Sequence, residues 1–460
     1  MKKNGILVSI HILLILLFMA SCIGNHNNNA VDETKCTPIV GQIAQKPQPE
    51  KQTNPKHQVK TEQAGQETLP VSELGHSMQP SLTTKEQPKP TQSSQLATVL
   101  PKASKVSLEV KIGQMLIVGF RGLSVNNQSP IIRDIKQLHL GGVILFDYDL
   151  TLKSSRRNIK SPEQVKKLVE QLQAAATQKP FFIAIDQEGG QIRRLKEKFG
   201  FPHTVSAQYF GKKNDLALTY KHATSIAQTL ANLGINFNLA PVVDLNINPN
   251  NPVIGKLERS FSADPNIVTN HALEFIRAHN EHNIVCAIKH FPGHGSSTND
   301  SHLGLVDVTN TWVEKELEPY RTLIQLDQAN AIMTAHVFNR HYDPNYPATL
   351  SKRIITELLR TELQYNGVIV SDDMQMKAIS NHYSFEYAIQ VALEAGIDII
   401  VIGNNLKYEE DIAARTIAVI KQLIQEGKLS EERIDESYKR IQKLKRGVIR
   451  ISEMGEMGSQ

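Results

Sequence analysis

The stretch GVIVSDDM (367–374) joins a β-branched apolar run to two adjacent carboxylates. Val368, Ile369 and Val370 show no polar alternation, the pattern of a strand covered on both faces. Asp372 and Asp373 follow almost at once, so acidic groups stand where that strand ends. Comparable runs recur along the chain: QMLIVGF (114–120), GGVILF (141–146), FFIAID (181–186), NFNLAPVVD (236–244), IVCAIKH (284–290), NAIMTAH (330–336) and GIDIIVIG (396–403). Between them lie helix-like segments such as SPEQVKKLVEQLQAAATQ (161–178), DLALTYKHATSIAQTLANLG (215–234), SKRIITELLRTELQ (351–364) and FEYAIQVALEAG (385–396). Buried strands alternating with helices imply an α/β fold with a parallel sheet, and eight such units predict a (β/α)₈ TIM barrel. A doubly wound sheet is the competing arrangement. The strand ends carry Asp186 and Glu188, Asp244, Lys289 and His290, His336, Asp372 and Asp373, and Asn404. One Asp after a strand is explained by helix capping. So many polar groups on one rim predict an active site at the carboxyl ends of a barrel.

The rest of the 460-residue chain bounds the setting. Residues 1–21 combine Lys2 and Lys3 with the apolar run ILVSIHILLILLFM (6–19), the composition of a secretory signal rather than a stable membrane span. Cys22 closes the box MASC, which resembles a bacterial lipoprotein cleavage site. That reading makes Cys22 a lipidation site, with export to the cell envelope and a membrane anchor; an ordinary signal peptide or an uncleaved anchor is the alternative. Residues 22–104 include PQPEKQTNPKHQVKTEQAGQ (47–66) and PSLTTKEQPKPTQSSQ (80–95), too poor in apolar groups to offset the entropy of ordering, so a disordered tether is expected. A single catalytic domain is expected over 105–452. The net charge of +5 is mild and partly carried by signal and tether, which argues against a nucleic-acid partner. The three cysteines, Cys22, Cys36 and Cys286, make neither a disulfide framework nor a zinc spacing.

KHFPGHGSSTNDSH (289–302) is the densest chemical segment. A metal site would use His290, His294, Asp300 and His302, but Pro292 and Gly293 keep the first two histidines off a common helical face. A phosphate cradle lacks the Lys of a Walker loop, although Lys289 could hold an anion or a sugar hydroxyl. A proton-transfer loop matches better, because Asp300 stands two residues from His302 and can fix its tautomer and raise its basicity. Asp372, at the floor of the barrel mouth, is then the candidate nucleophile or base, and Asp373 a candidate helix cap. A Ser-His-Asp hydrolase is disfavoured, since Ser371 sits in a strand pointing away from Asp372 and no G-x-S-x-G elbow exists.

KIGQMLIVGF (111–120), AIDQEGGQIRR (184–194), GINFNLAPVVDL (234–245), ERSFSADP (258–265), KHFPGHGSSTNDSH (289–302), TAHVF (334–338) and LLRTELQYNGVIVSDDMQM (358–376) together resemble the β-N-acetylhexosaminidases of glycoside hydrolase family 3, over about 106–446. The K-H-F-P-G-H-G-x4-D-S-H signature points to the N-acetylglucosaminidase branch. The resemblance implies a covalent glycosyl-enzyme on Asp372 and a His302–Asp300 acid/base dyad. It places Asp186, Arg194, Arg259, Lys289 and His290 around the terminal sugar and implies no metal or cofactor. The expected substrate is a β-linked N-acetylglucosamine glycan such as a peptidoglycan fragment, cut from its end with retention, by a monomer. A phosphorylase on the same scaffold and a non-catalytic cell-wall-binding lipoprotein are the alternatives. The chain departs from the family at Gln191, at FDYDLT (146–151) in place of Phe-x-Arg-Asn, and at Gln375, which puts the leaving-group preference in question.

Overall fold

A computed structural model describes residues 106–457, with side chains as far as 447. The signal segment, Cys22 and the tether lie outside the described residues. Eight short strands form the sheet: β1 Leu116–Gly119, β2 Gly142–Leu145, β3 Phe182–Ile185, β4 Phe237–Asn238, β5 Val285–Phe291, β6 Ala331–Thr334, β7 Val368–Val370 and β8 Ile400–Ile402. Neighbouring strands run parallel in chain order from β1 to β7, and β8 pairs with β1 through Leu116–Ile400, Ile117–Val401 and Val118–Ile402. A parallel bridge between Val370 and Ile399 joins β7 to β8 and closes the ring. The (β/α)₈ expectation therefore holds, and the doubly wound alternative falls.

The helices follow from local chemistry. Pro162–Ala175 starts at Ser161, whose hydroxyl accepts from Gln164 N at 3.2 Å, with Pro162 at the first helical position. Its buried residues Val165, Leu168, Val169 and Leu172 recur at the spacing of one helical face. Pro265–Asn280 begins in the same way at Asp264, which accepts from Asn266 N at 2.8 Å. Apart from β5, the strands are shorter than the apolar runs, because each of the other runs continues beyond its last ladder bond into the loops that carry polar groups. The largest shortfall is at 236–244. Only Phe237–Asn238 is ladder there, since Pro241 has no N–H to donate and Val242 rejoins the sheet by one bridge to Lys289.

The base of the barrel holds an unusual plug. Lys445, in the last helix (Glu431–Met457), is 1% exposed and has no carboxylate partner among the described residues. Its ammonium donates to Gln114 Oε1 at 2.7 Å and Gly141 O at 3.2 Å, 4.8 Å from the centre of the Phe182 ring. Burial pushes its pKa down to about 7. The unfolded chain therefore holds a proton on this Lys that the native state has lost, in the window from pH 7 to about 10. Native stability should rise with pH across that window, by about 3 kcal/mol relative to a Lys445→Met variant at the conversion of 1.4 kcal/mol per unit. Urea unfolding of both proteins at pH 7 and pH 9.5 checks this; parallel changes would remove the assignment to Lys445.

Candidate active site

Of the polar groups expected at the strand ends, Asp186, Glu188, Lys289, His290, Asp372 and Asp373 converge on one cavity of about 350 Å³, within the range of about 300–1,000 Å³ usual for small-ligand sites, whereas Asp244, His336 and Asn404 stand outside its lining. Asp186, Arg194, Arg259, Lys289, His290, Asp300, His302 and Asp372 all line it. All eight cavity-lining residues read from the sequence are thus brought together.

One side is an ionic lattice. Lys289 leaves β5 fully buried and bridges Asp186 Oδ1 at 2.9 Å and Glu188 Oε1 at 2.7 Å. Arg194, carried back by the ribbon Gln187–Gly189 with Ile192–Arg193, meets Asp186 Oδ2 at 2.9 Å. Arg259 grips Glu188 with two bonds, Nε to Oε2 at 2.8 Å and Nη2 to Oε1 at 2.7 Å. Burial would raise the Asp186 and Glu188 pKa values, but the cations of Lys289, Arg194 and Arg259 overcome it and hold both carboxyls low. Lys289 is likewise kept charged against burial by Asp186 and Glu188. Such a lattice presents fixed donors and acceptors at no cost of reorganisation, as recognition of sugar hydroxyls requires.

His290 is oriented rather than free. Its Nδ1 lies 2.6 Å from Asp244 Oδ2, and its backbone N–H donates to Asp244 Oδ1 at 3.1 Å. Arg259 Nη2 is 3.2 Å from its Nε2, so Nδ1 carries the proton and Nε2 accepts. Glu188 and Asp244 were legible only as strand-end acids. Their roles as counter-ion and orienter depend on contacts across 71 and 46 residues of chain, which no local signal reveals.

Asp372 stands two residues beyond β7, accepting from Asp373 N at 2.8 Å. Burial alone would raise its pKa, but the His336, His290 and His302 imidazoles lower it, so it is ionised. The neighbouring residues are structural. Ser371, one residue past β7 rather than in the strand, is fully buried with Oγ accepting from Val401 N at 2.9 Å. Asp373 is not the cap of the next helix. It accepts from Gly403 N at 2.9 Å and Gln375 N at 3.0 Å, tying the ends of β7 and β8, while burial pushes its carboxyl up to about 6.

The loop after β5 brings the remaining pair. His302 Nδ1 lies 2.8 Å from Asp300 Oδ1, and the same oxygen accepts from His302 N at 2.8 Å. The His302 side chain is 55% exposed, so a reacting group can reach its Nε2. Burial pulls its pKa down, but the Asp300 hydrogen bond and the charges of Asp372 and Asp300 outweigh this and raise it. His294, given no role by sequence, has both ring nitrogens facing hydroxyls: Nδ1 to Ser297 Oγ at 2.8 Å and Nε2 to Ser301 Oγ at 3.2 Å. It holds the residue next to His302, and a metal-ligand role does not suit those contacts.

The departure at FDYDLT opens an excursion of the chain. Phe146 N donates to Asn158 Oδ1 at 3.0 Å and Asn158 N to Phe146 O at 3.0 Å, so the chain leaves as a closed hairpin over 147–157 and returns with Arg157-Asn158 beside Phe146.

Comparison with known proteins agrees with this geometry. The profile of the glycosyl hydrolase family 3 N terminal domain matches residues 107–444. A beta-hexosaminidase A of Pseudoalteromonas piscicida is 36% identical over 372 residues, covering 73% of this chain and 60% of that protein. A solved glycoside hydrolase family 3 beta-N-acetylglucosaminidase from Paenibacillus sp. str. FPU-7 superposes with a TM-score of 0.68 at 36% identity, covering 75% of this chain and 63% of that one. This chain thus spans less than two thirds of either protein. A beta-N-acetylhexosaminidase structure from Beutenbergia cavernae DSM 12333 is covered over 99% of its length, with 74% of this chain, a TM-score of 0.66 and 29% identity. With the family profile spanning the whole barrel, the chain belongs to glycosyl hydrolase family 3.

Proposed function

We propose that this chain is an exo-acting, retaining β-N-acetylglucosaminidase that removes terminal N-acetylglucosamine from peptidoglycan fragments or related β-linked glycans. The observation that carries the reading is the pairing, in one cavity, of an ionised Asp372 with an exposed His302 held by Asp300. In the first step Asp372 attacks the anomeric carbon from the α face as the glycosidic bond breaks. His302 gives its proton to the departing oxygen. In the second step the neutral imidazole takes a proton from water, which attacks the glycosyl ester and returns Asp372 to its carboxylate. Substrate assistance by the N-acetyl group needs no enzymic nucleophile, and Asp372 argues against it. Asp186, Arg194, Arg259, Lys289 and His290 hold the terminal sugar. Lipidation at Cys22 would anchor the protein in the bacterial cell envelope, where its substrate is met outside the cytoplasm.

A 5-fluoro N-acetylglucosaminyl fluoride should trap the glycosyl-enzyme, and peptide mapping should find the sugar on Asp372. A label on any other residue would contradict the assignment. Because the base is an imidazole rather than a carboxylate, an anionic acceptor is not repelled, which favours phosphorolysis as the second reading. Product analysis in phosphate buffer separates them: N-acetylglucosamine 1-phosphate as the main product would replace hydrolysis with phosphorolysis.

A further inference from the structure

The hairpin over 147–157 is braced more heavily than a surface excursion requires. Arg157 is 2% exposed and reaches Asp149 Oδ2 at 3.0 Å, Asn405 Oδ1 at 2.9 Å and Asn404 O at 2.7 Å. Arg121 Nε adds a second bond to Asp149 Oδ2 at 2.7 Å. Asn405 then grips the backbone on both sides of Asp149, donating to Tyr148 O at 3.0 Å and accepting from Leu150 N at 3.0 Å. Asp149 is held in the ionic brace, while its neighbours Tyr148 and Leu150 are not. Both line the cavity that holds Asp372 and His302, and both are left open, at 38% and 49% exposure. Leu406, next to Asn405, continues the same wall.

An apolar wall fixed by buried charges, and left uncovered beside a catalytic centre, is a preformed surface for a ligand's apolar face. β2 stands three strands round the ring from β5, so the hairpin rises across the mouth from the His302 loop. We infer that Tyr148 and Leu150 form the acceptor subsite of this chain, stacking against the apolar face of the leaving pyranose. This rests on the glycosidase reading and specifies its substrate: the leaving group is a sugar ring rather than a lipid or a peptide. Loss of aromatic or apolar stacking at that wall should be felt at about the two- to tenfold level.

The test compares two substrates of the full chain. N-acetylglucosaminyl β-fluoride leaves the acceptor space empty, whereas N,N′-diacetylchitobiose fills it with a sugar. In Tyr148→Ala and in Leu150→Ser, the ratio of kcat/KM for the disaccharide over that for the fluoride should fall by about two- to tenfold. Tyr148→Phe should restore the ratio, because the ring remains. An unchanged ratio in both variants would overturn the subsite while leaving the glycosidase reading intact. Wild-type protein inert toward both substrates would overturn the glycosidase reading, and the subsite with it.

Discussion

Asp372→Ala should lower kcat on N,N′-diacetylchitobiose by about 10⁴-fold or more, the scale of losing a group that forms the covalent intermediate. The argument is positional. Asp372 is held by the Asp373 N–H at 2.8 Å and kept ionised by three imidazoles, so its charge is in place before substrate arrives. Removing it takes away both the nucleophile and the nearest countercharge to an oxocarbenium-like centre. The loss should also be chemically reversible. Azide entering the vacated space attacks the same face of the sugar, so the variant should form the α-glycosyl azide from a β-linked fluoride substrate. Chromatography and NMR of that product decide the point. Full activity of the variant, or a β-azide, would remove Asp372 from the nucleophile's role. The surrounding fold should survive, because the ties between β7 and β8 run through Ser371 and Asp373 rather than Asp372.

The barrel, and the meeting of Asp300, His302 and Asp372 at one cavity, were legible because their signals are local. A β-branched run such as VIV (368–370) marks a doubly covered strand wherever it lies, and an acid just past its end stands on the rim. Asp300 and His302 are two residues apart, so a single loop brings them together. What was not legible depends on residues that meet only in the folded chain. Glu188 and Asp244 look like any acids after strands until Arg259 and His290 arrive beside them. Lys445 reads as one more basic residue on an amphipathic helix, and nothing in its neighbourhood announces burial against Gln114 and Phe182. The hairpin at 147–157 was not legible for a different reason: its two ends are tied by hydrogen bonds between Phe146 and Asn158, twelve residues apart. A surface excursion with paired ends leaves the rest of a fold undisturbed, so a barrel mouth tolerates one.

His302→Ala should divide the two halves of the reaction. For N,N′-diacetylchitobiose, whose leaving oxygen needs a proton, kcat/KM should fall by about 10²–10⁴-fold. For an activated aryl glycoside, whose leaving group departs as a stable anion, kcat/KM should change little, because that parameter reports only the first step. Its kcat should still fall, since the second step has lost its base and the glycosyl-enzyme accumulates as a burst. Azide should relieve that block and give the β-glycosyl azide, the opposite anomer from the Asp372 variant, because attack now comes from the face the sugar left. Asp300→Asn tests the dyad itself. The anions of Asp300 and Asp372 raise the His302 pKa against burial, so the proton donor persists to higher pH than an ordinary histidine would allow. Loss of the Asp300 charge should lower that pKa, and the alkaline limb of the kcat/KM profile for chitobiose should move to lower pH. A profile with an unmoved alkaline limb, together with equal losses on activated and unactivated substrates, would mean that the proton comes from a group other than His302.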